Sequence, residues 1–431
     1  MSEPESRLSA PCAGRGPCSR FLLKFPPFAS ALRSMPPRRR AALYYESLAD
    51  LGFGSLMRVF PIALVVLETI LNAELWYQGL LASLFYGANL LSPIFTWSAR
   101  HVRVRWLVIV PNVLIALFLL GIAVRPGSAG AFTFLVCLVL GLRVASQIGE
   151  MNMYRLIYPA NKLSHAVGWT RAVAAFSGFV LTLLSWLWLE LFPEYYWGLF
   201  WCVALATSWG CWFYLRIPVH RSNFFGNQPR RTPLQAFREG VKIFFKDRRF
   251  RRYELAFLIV GFANQMSIYL VPNTLNVHVG AGTTQISLIA IVIPSLTMIL
   301  TGPIWGAYLS QHTPMTVRGV FSLMQIVSFS LYAWGGATGQ VWPFFVGSFV
   351  HSVSIAGGNI NWLTGNSFFA KPEHYALYNG IHVFLTGVRG CVAPLVARII
   401  YEQGVLYEEM VPGGIAGWGW GTHIFWIAAG L

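Results

Sequence analysis

Charge is scarce in this sequence: Asp, Glu, Lys and Arg make up only 11% of its 431 residues, against roughly 25% in soluble globular domains. With 55% hydrophobic residues and a mean hydropathy of +0.55, that shortage excludes an ordinary water-soluble protein. Cysteine is equally uninformative as chemistry. The six cysteines, Cys12, Cys18, Cys137, Cys202, Cys211 and Cys391, form no C-x-x-C pair, and four lie in apolar segments, so neither a metal centre nor a disulfide framework is expected. A G-x-x-x-x-G-K-[ST] loop is missing, which argues against direct ATP drive. No long apolar run opens the chain, because Lys24 and Pro26-Pro27 interrupt it. A secretory signal is therefore not expected; residues 1–40 read as a disordered basic cytoplasmic tail, with Met35 an alternative start.

What is present is a succession of apolar stretches of the length a bilayer-spanning helix needs, about 20 residues. They fall near 45–71, 77–98, 105–124, 131–157, 164–191, 196–215, 254–278, 284–310, 316–335, 341–364, 376–401 and 415–431. The last is short or truncated. The expected fold class is therefore all-α integral membrane, with twelve transmembrane helices in two six-helix bundles, 41–215 and 254–431. Between them, 216–253 reads as a cytoplasmic basic linker. It is rich in proline before an amphipathic run from Phe237 to Phe250, whose Lys242, Lys246, Arg248 and Arg249 suit lipid headgroups.

The formal net charge is +16, and its distribution argues for topology over nucleic-acid binding. Eight of the 32 Lys and Arg lie in the first 40 residues and eleven between Arg216 and Arg252. With the N-terminus inside, Arg100, Arg103, Arg105, Arg155, Lys162, Arg318 and Lys371 join them in inner loops, whereas the outer loops hold only Arg125. This asymmetry is the positive-inside pattern. It predicts a multi-pass protein of the cell (inner) membrane with a cytoplasmic N-terminus, partnered by the lipid bilayer and not by nucleic acid.

Two short segments suggest an internal duplication. Ser92-Pro93-Ile94-Phe95-Thr96 and Gly302-Pro303-Ile304-Trp305-Gly306 occupy the second and eighth spans, each followed by a short basic turn. On these segments, on Tyr154-Arg155-Leu156-Ile157-Tyr158-Pro159 and on Asn361-Trp362-Leu363-Thr364-Gly365-Asn366, the chain after residue 40 resembles the Major Facilitator Superfamily, specifically bacterial members without an assigned substrate. That family carries G-x-x-x-D-x-x-G-R between helices 2 and 3. Here Arg100 stands where the acid would be, and the equivalent turn after Gly306 also lacks one, so the usual charge lock is degenerate. The antiporter pattern of helix 5 is missing from 168–190. The resemblance implies a secondary transporter whose first, fourth, seventh and tenth helices line the solute path.

Ionisable groups within spans are default site candidates. Arg58, Arg143 and Arg389 each lie ~20 Å from the inner end of their helix at 1.5 Å per residue, without an acid at that depth. If they converge, a carboxylate or phosphate could be held by bidentate contacts; structural pairs such as Arg143–Glu150 or Arg58–Asp50 are the alternative. Arg171 is expected to reach toward the inner surface and Arg398 toward the outer one. Gln147, Asn264, Gln265, His351 and Asn361 are further candidates for substrate contact, the last two on one face of the tenth span with Ser354 and Gly358. Asp50 and Glu150 are the candidates for proton coupling, and Arg103, Arg105, Arg318 and Pro394 for gating. Gly302 and Gly306 read as a close helix contact.

The functional expectation is a secondary transporter, a monomer without cofactor or metal. It moves a small solute, which the arginines suggest is an organic or phosphorylated anion, with a coupling proton or exchange solute. Two rivals remain: a non-transporting sensor or assembly protein, and a membrane enzyme on lipid-linked substrates. The enzyme would need paired carboxylates or a His/Asp cluster in a sizeable interfacial loop; the long inner loop holds only Glu239 and Asp247. No catalytic residue is assigned.

Overall fold

The computed structural model describes residues 35–99, 101–124, 128–219, 232–268, 270–371, 374–410 and 420–431. The expected tail up to residue 34, Arg100, Arg125 and the linker stretch 220–231 lie outside them, as does the side chain of Arg398. Among the described residues all regular structure is helical. Residues 37–40, expected in the tail, already form the first turn of a helix that starts on Pro37, where a proline's missing N–H costs nothing.

A helix or broken helix falls on each of the twelve expected spans: α1 (37–70), α2 (75–99), α3 (Val104–Ala123), α4 (Ala129–Ile157), α5 (Ala160–Leu191), α6 (Trp197–Leu215), α7 (248–277), α8 (283–309), α9 (Pro314–Thr338), α10 (Trp342–Thr364), α11 (Tyr375–Met410) and α12 (Trp420–Gly430). Nine helices among the described residues are long and apolar enough to cross a bilayer; α2, α10 and the 11-residue α12 are not among them. Large apolar side chains such as Leu184, Trp186, Trp212, Leu300 and Leu323 are more than half exposed or nearly so. Such a surface suits hydrocarbon, not water.

Several spans are broken, and the breaks follow from proline. A proline cannot donate to the carbonyl four residues back and crowds it. In α1 a 3-10 stretch, Gly54–Arg58, holds the Met57 carbonyl that Pro61 leaves unpaired. In α2 the 3-10 stretch Ala88–Leu91 precedes Pro93 in the same way. In α8 a wide π turn, Leu288–Val292, precedes Pro294.

The halves meet along α5·α8 and α2·α11. At the end nearer the linker, α5 and α8 touch backbone to backbone: a Cβ on Gly168 would lie 2.6 Å from the Gly302 carbonyl oxygen, and one on Gly306 would lie 2.7 Å from that of Ser164. Nearby, Ser164 and Thr364 share a hydrogen bond of 3.1 Å, and Ser92 donates to the Gly380 carbonyl at 3.0 Å. The linker resolves into a helix, Pro233–Lys246, opened by a reciprocal cap between Thr232 and Gln235. Its Phe237 packs on Phe384 of α11. Asp247 then starts α7, accepting from the backbone of Arg249 and Phe250 and from the Tyr378 hydroxyl.

The duplication shows again in a matched pair of helix ends. At the end of α2, His101 Nδ1 donates to the Trp97 carbonyl at 2.8 Å and its ring packs on Trp97. At the end of α8, His312 Nδ1 donates to the Tyr308 carbonyl at 2.9 Å, again with the rings together.

Candidate functional site

Between the halves lies a cavity of about 1140 Å³. It reaches from Glu190 and Pro193 at the end of α5 far from the linker to Arg171 and Trp362. Beyond these, the α5–α8 contact at Gly168 and Gly306 closes the linker end. Residues of α1, α2, α4 and α5 line one side, and residues of α7, α8, α9 and α10 the other.

The 3-10 stretch of α1 ends on Arg58, which lines this cavity. Its Nη2 donates to Ser295 Oγ at 3.0 Å. Ser295 directly follows Pro294, so a proline-induced irregularity sits beside each partner of the contact. Arg58 Nε is buried without a hydrogen-bond partner, and among the described residues Arg58 forms no ion pair. A guanidinium at this depth without a carboxylate is costly unless an anion or water reaches it. Across the cavity His351 is 7% exposed, and neither ring nitrogen has a partner. The rings of Phe329 and Tyr332 flank it. Ser352 Oγ, next in sequence, is buried and equally unpartnered. Gln147, Thr182, Ser185, Ser267, Ser348 and Asn359 add further polar groups to the lining.

Arg171 forms the cavity's inner boundary and also belongs to a buried charge cluster of the N-terminal half. Its Nη2 lies 2.9 Å from Glu150 Oε2 and 3.9 Å from Asp50 Oδ2, and it donates to the Tyr154 hydroxyl. Arg143 holds the other Glu150 oxygen at 2.6 Å. Ser146 accepts from Asn112 and Arg143 and donates to Glu150. Glu46, 1% exposed, accepts from the Tyr158 hydroxyl. Glu150 and Asp50 thus share two largely buried guanidiniums, with the buried Glu46 one helical turn from Asp50.

The C-terminal half has a different cluster. Glu254 and His382, both fully buried, meet at 2.9 Å. Trp362, on the cavity wall, donates to Thr386, which donates to the His382 carbonyl. Arg318 and Arg389 both lie over the Phe257 ring, at 4.2 and 4.3 Å from its centre. They donate to the Phe257 carbonyl at 3.1 and 2.7 Å.

Of the sequence-derived candidates, the structure brings Arg58, Gln147 and His351 to the cavity. It does not bring Arg143 or Arg389 there. Glu150, two helical turns further along α4, draws Arg143 down. Arg389 faces α7, where Gly261 leaves room: a Cβ there would lie 1.7 Å from Arg389 Nη1. Asp50 and Glu150 sit behind Arg171, off the cavity surface. Asn361 is consumed by Tyr253 and the Pro314 carbonyl; Asn264 and Gln265 are absent from the lining and keep unpartnered oxygens. Among the gating candidates, Arg103 is exposed at the start of α3 and Arg105 ties α3 to the Ile217 carbonyl. Arg318 is buried against α7, and Pro394 sits within continuous helix. Arg171 does not reach for the inner surface as expected, because two acids on α1 and α4 turn it inward. Ser295, Ser352, Asn359, Glu46 and the Glu254–His382 pair had no local sequence signal. Proline beside Ser295 was the one readable hint.

No protein-family model matches the sequence, and no curated protein matches it. Solved structures do resemble the fold. The proton:xylose symporter XylE of the major facilitator superfamily, bound to 6-bromo-6-deoxy-D-glucose, superposes with a TM-score of 0.68 at 12% identity over 93% of this chain and 95% of its own. The human organic anion transporter MFSD10 gives 0.66 at 15% over 92% and 99%. A bacterial homologue of the iron transporter ferroportin, in an outward-facing state, gives 0.63 at 14% over 91% and 96%.

Proposed function

On the Major Facilitator Superfamily fold that this chain carries, we propose a secondary transporter that moves an organic anion by alternating access. The observation that carries the reading is Arg58. It is a cavity-lining guanidinium without a carboxylate, hydrogen-bonded across the half-to-half boundary to Ser295. An anion bound there touches both halves, so its binding energy can bias their relative orientation. The cavity is shut at the linker end by the α5–α8 contact. With the linker read as cytoplasmic from its lysines and arginines, the α5–α8 contact lies on the cytoplasmic side of the cavity.

The N-terminal cluster supports proton coupling. Glu46, Asp50 and Glu150 outnumber Arg143 and Arg171 by one, so a single proton brings the buried group to neutrality. Asp50 is the carboxyl we assign to that exchange, since it lies beside Arg171, which forms part of the cavity wall, at 3.9 Å without a tight pair.

The test is flux in proteoliposomes of the purified chain. A proton gradient should drive accumulation of a carboxylate solute, and Arg58→Gln should abolish uptake while the protein stays monodisperse. Transport confined to cations or neutral solutes, or uptake unaffected by Arg58→Gln, would overturn the reading. For orientation, a cysteine at Asn227 should resist an impermeant thiol reagent in intact cells.

A further inference from the structure

We propose that the solute is an amphiphilic organic monoanion with a second, uncharged polar group: its carboxylate meets Arg58, and the second group meets His351 and Ser352. This rests on the transport reading and sharpens it.

The charge follows from counting what the cavity offers. Two guanidiniums line it, but Arg171 is already engaged by Glu150 and Asp50. Glu190, the acid in the lining, sits at the far mouth. Arg58 therefore supplies one uncompensated positive charge. A monocarboxylate balances it through the planar fork. A phosphate monoester dianion would leave a net negative charge in a low-dielectric space, which is strongly disfavoured.

The apolar body follows from the walls. Phe60, Ile62, Phe85, Ile291, Met298 and Trp362 give the cavity that Arg58 lines a large apolar surface. A sugar or inorganic phosphate would strand hydroxyls or oxygens against them. The volume of about 1140 Å³ also exceeds the ordinary span of small-molecule sites, roughly 300–1,000 Å³, so a substantial hydrocarbon portion has room.

The second polar group follows from orphaned atoms. Both nitrogens of His351 and the hydroxyl of Ser352 are buried and lack partners, and both residues belong to the cavity lining. A neutral imidazole offers one donor and one acceptor, and serine offers both roles. A hydroxyl or carbonyl on the solute would satisfy them. Since these residues lie on α10 and Arg58 on α1, one molecule satisfying all three bridges the two halves.

Equilibrium binding to the full chain in nanodiscs tests this with radiolabelled probes: phenylpropionate, para-hydroxyphenylpropionate, phenyl phosphate, inorganic phosphate and glucose. Both carboxylates should bind, the hydroxylated one about tenfold tighter, as one satisfied buried hydrogen bond predicts. Arg58→Lys should weaken both by about tenfold or more. His351→Leu should bring the ratio between the two carboxylates to about one, and Ser352→Ala should reduce it; the second variant serves if the first does not fold. Tighter binding of glucose or either phosphate, equal binding of the two carboxylates, no binding of either, or a ratio indifferent to both substitutions overturns the proposal. The two readings fail separately. Binding in the expected order without flux overturns transport alone, whereas flux of a sugar overturns only the solute class.

Discussion

The two halves share an architecture and oppose each other in charge. In the N-terminal half, three buried carboxyls on α1 and α4 surround two guanidiniums on α4 and α5, so acid is in excess. In the C-terminal half, Arg318 on α9 and Arg389 on α11 face a single carboxylate, Glu254, which is itself paired with His382. Base is in excess there. The means of compensation differ as well. Arg143 and Arg171 are neutralised by side chains, whereas the C-terminal pair rely on the Phe257 carbonyl and ring face. A duplicated scaffold has thus been given two electrostatic characters. On the proposed reading, the acidic cluster handles the proton, while the anion meets Arg58 on α1, outside both clusters.

The hardest blow to this contrast would come at Glu150, which contacts both N-terminal guanidiniums. Glu150→Gln should destabilise the protein by about 3–5 kcal/mol, the usual cost of stranding a buried charge, seen as a lost or strongly lowered thermal transition in detergent. Adding Arg143→Met should recover part of the loss, because one stranded cation is removed with its acid. Glu254→Gln should cost less, about 1–3 kcal/mol, since Arg318 and Arg389 keep their carbonyl acceptors. Equal losses at the two positions would break the distinction between side-chain and backbone compensation.

Asp50→Asn should be gentler still on stability, about 1 kcal/mol, because it leaves two acids for two guanidiniums. Its effect belongs to function: gradient-driven accumulation should vanish while solute exchange persists. If Asp50→Asn still concentrates solute, the proton is handled elsewhere, and the Glu254–His382 pair becomes the next position to vary.

The helices were legible in the sequence because bilayer thickness fixes their length and lysine and arginine mark one set of loops. The breaks in α1, α2 and α8 each lie just upstream of a proline, a signal the sequence carries but that the span lengths alone do not show. The site was only half readable. Arg143 and Glu150 are seven residues apart on one helix, so their pairing could be weighed as an alternative, and it is what the structure contains. Arg58 and Ser295 are 237 residues apart, and no periodicity connects them. Arg171 misled because depth along a helix is set by counting, whereas the direction of a long side chain is set by partners on other helices. Asp50 and Glu150 were those partners, and nothing local joins the three.

The matched histidines offer the smallest effect and the cleanest measure of what the halves still share. His101 and His312 close α2 and α8 by donating to the carbonyl four residues back while stacking on the ring of that same residue. A cap of this kind satisfies one orphan carbonyl at the negative end of the helix dipole and contributes a few tenths of a kcal/mol at an exposed position. His101→Ala and His312→Ala should therefore each lower thermal stability slightly and by the same amount. The double variant should show the sum, because independent sites add. Both lie at the linker end, which on the proposed reading has to open for alternating access. If either cap also helps hold that end shut, its loss will change the rate of linker-end labelling of an engineered cysteine out of proportion to the stability change. Equal, additive and purely thermal effects would mean that the duplicated ends are structural and that the halves diverged only in their buried clusters.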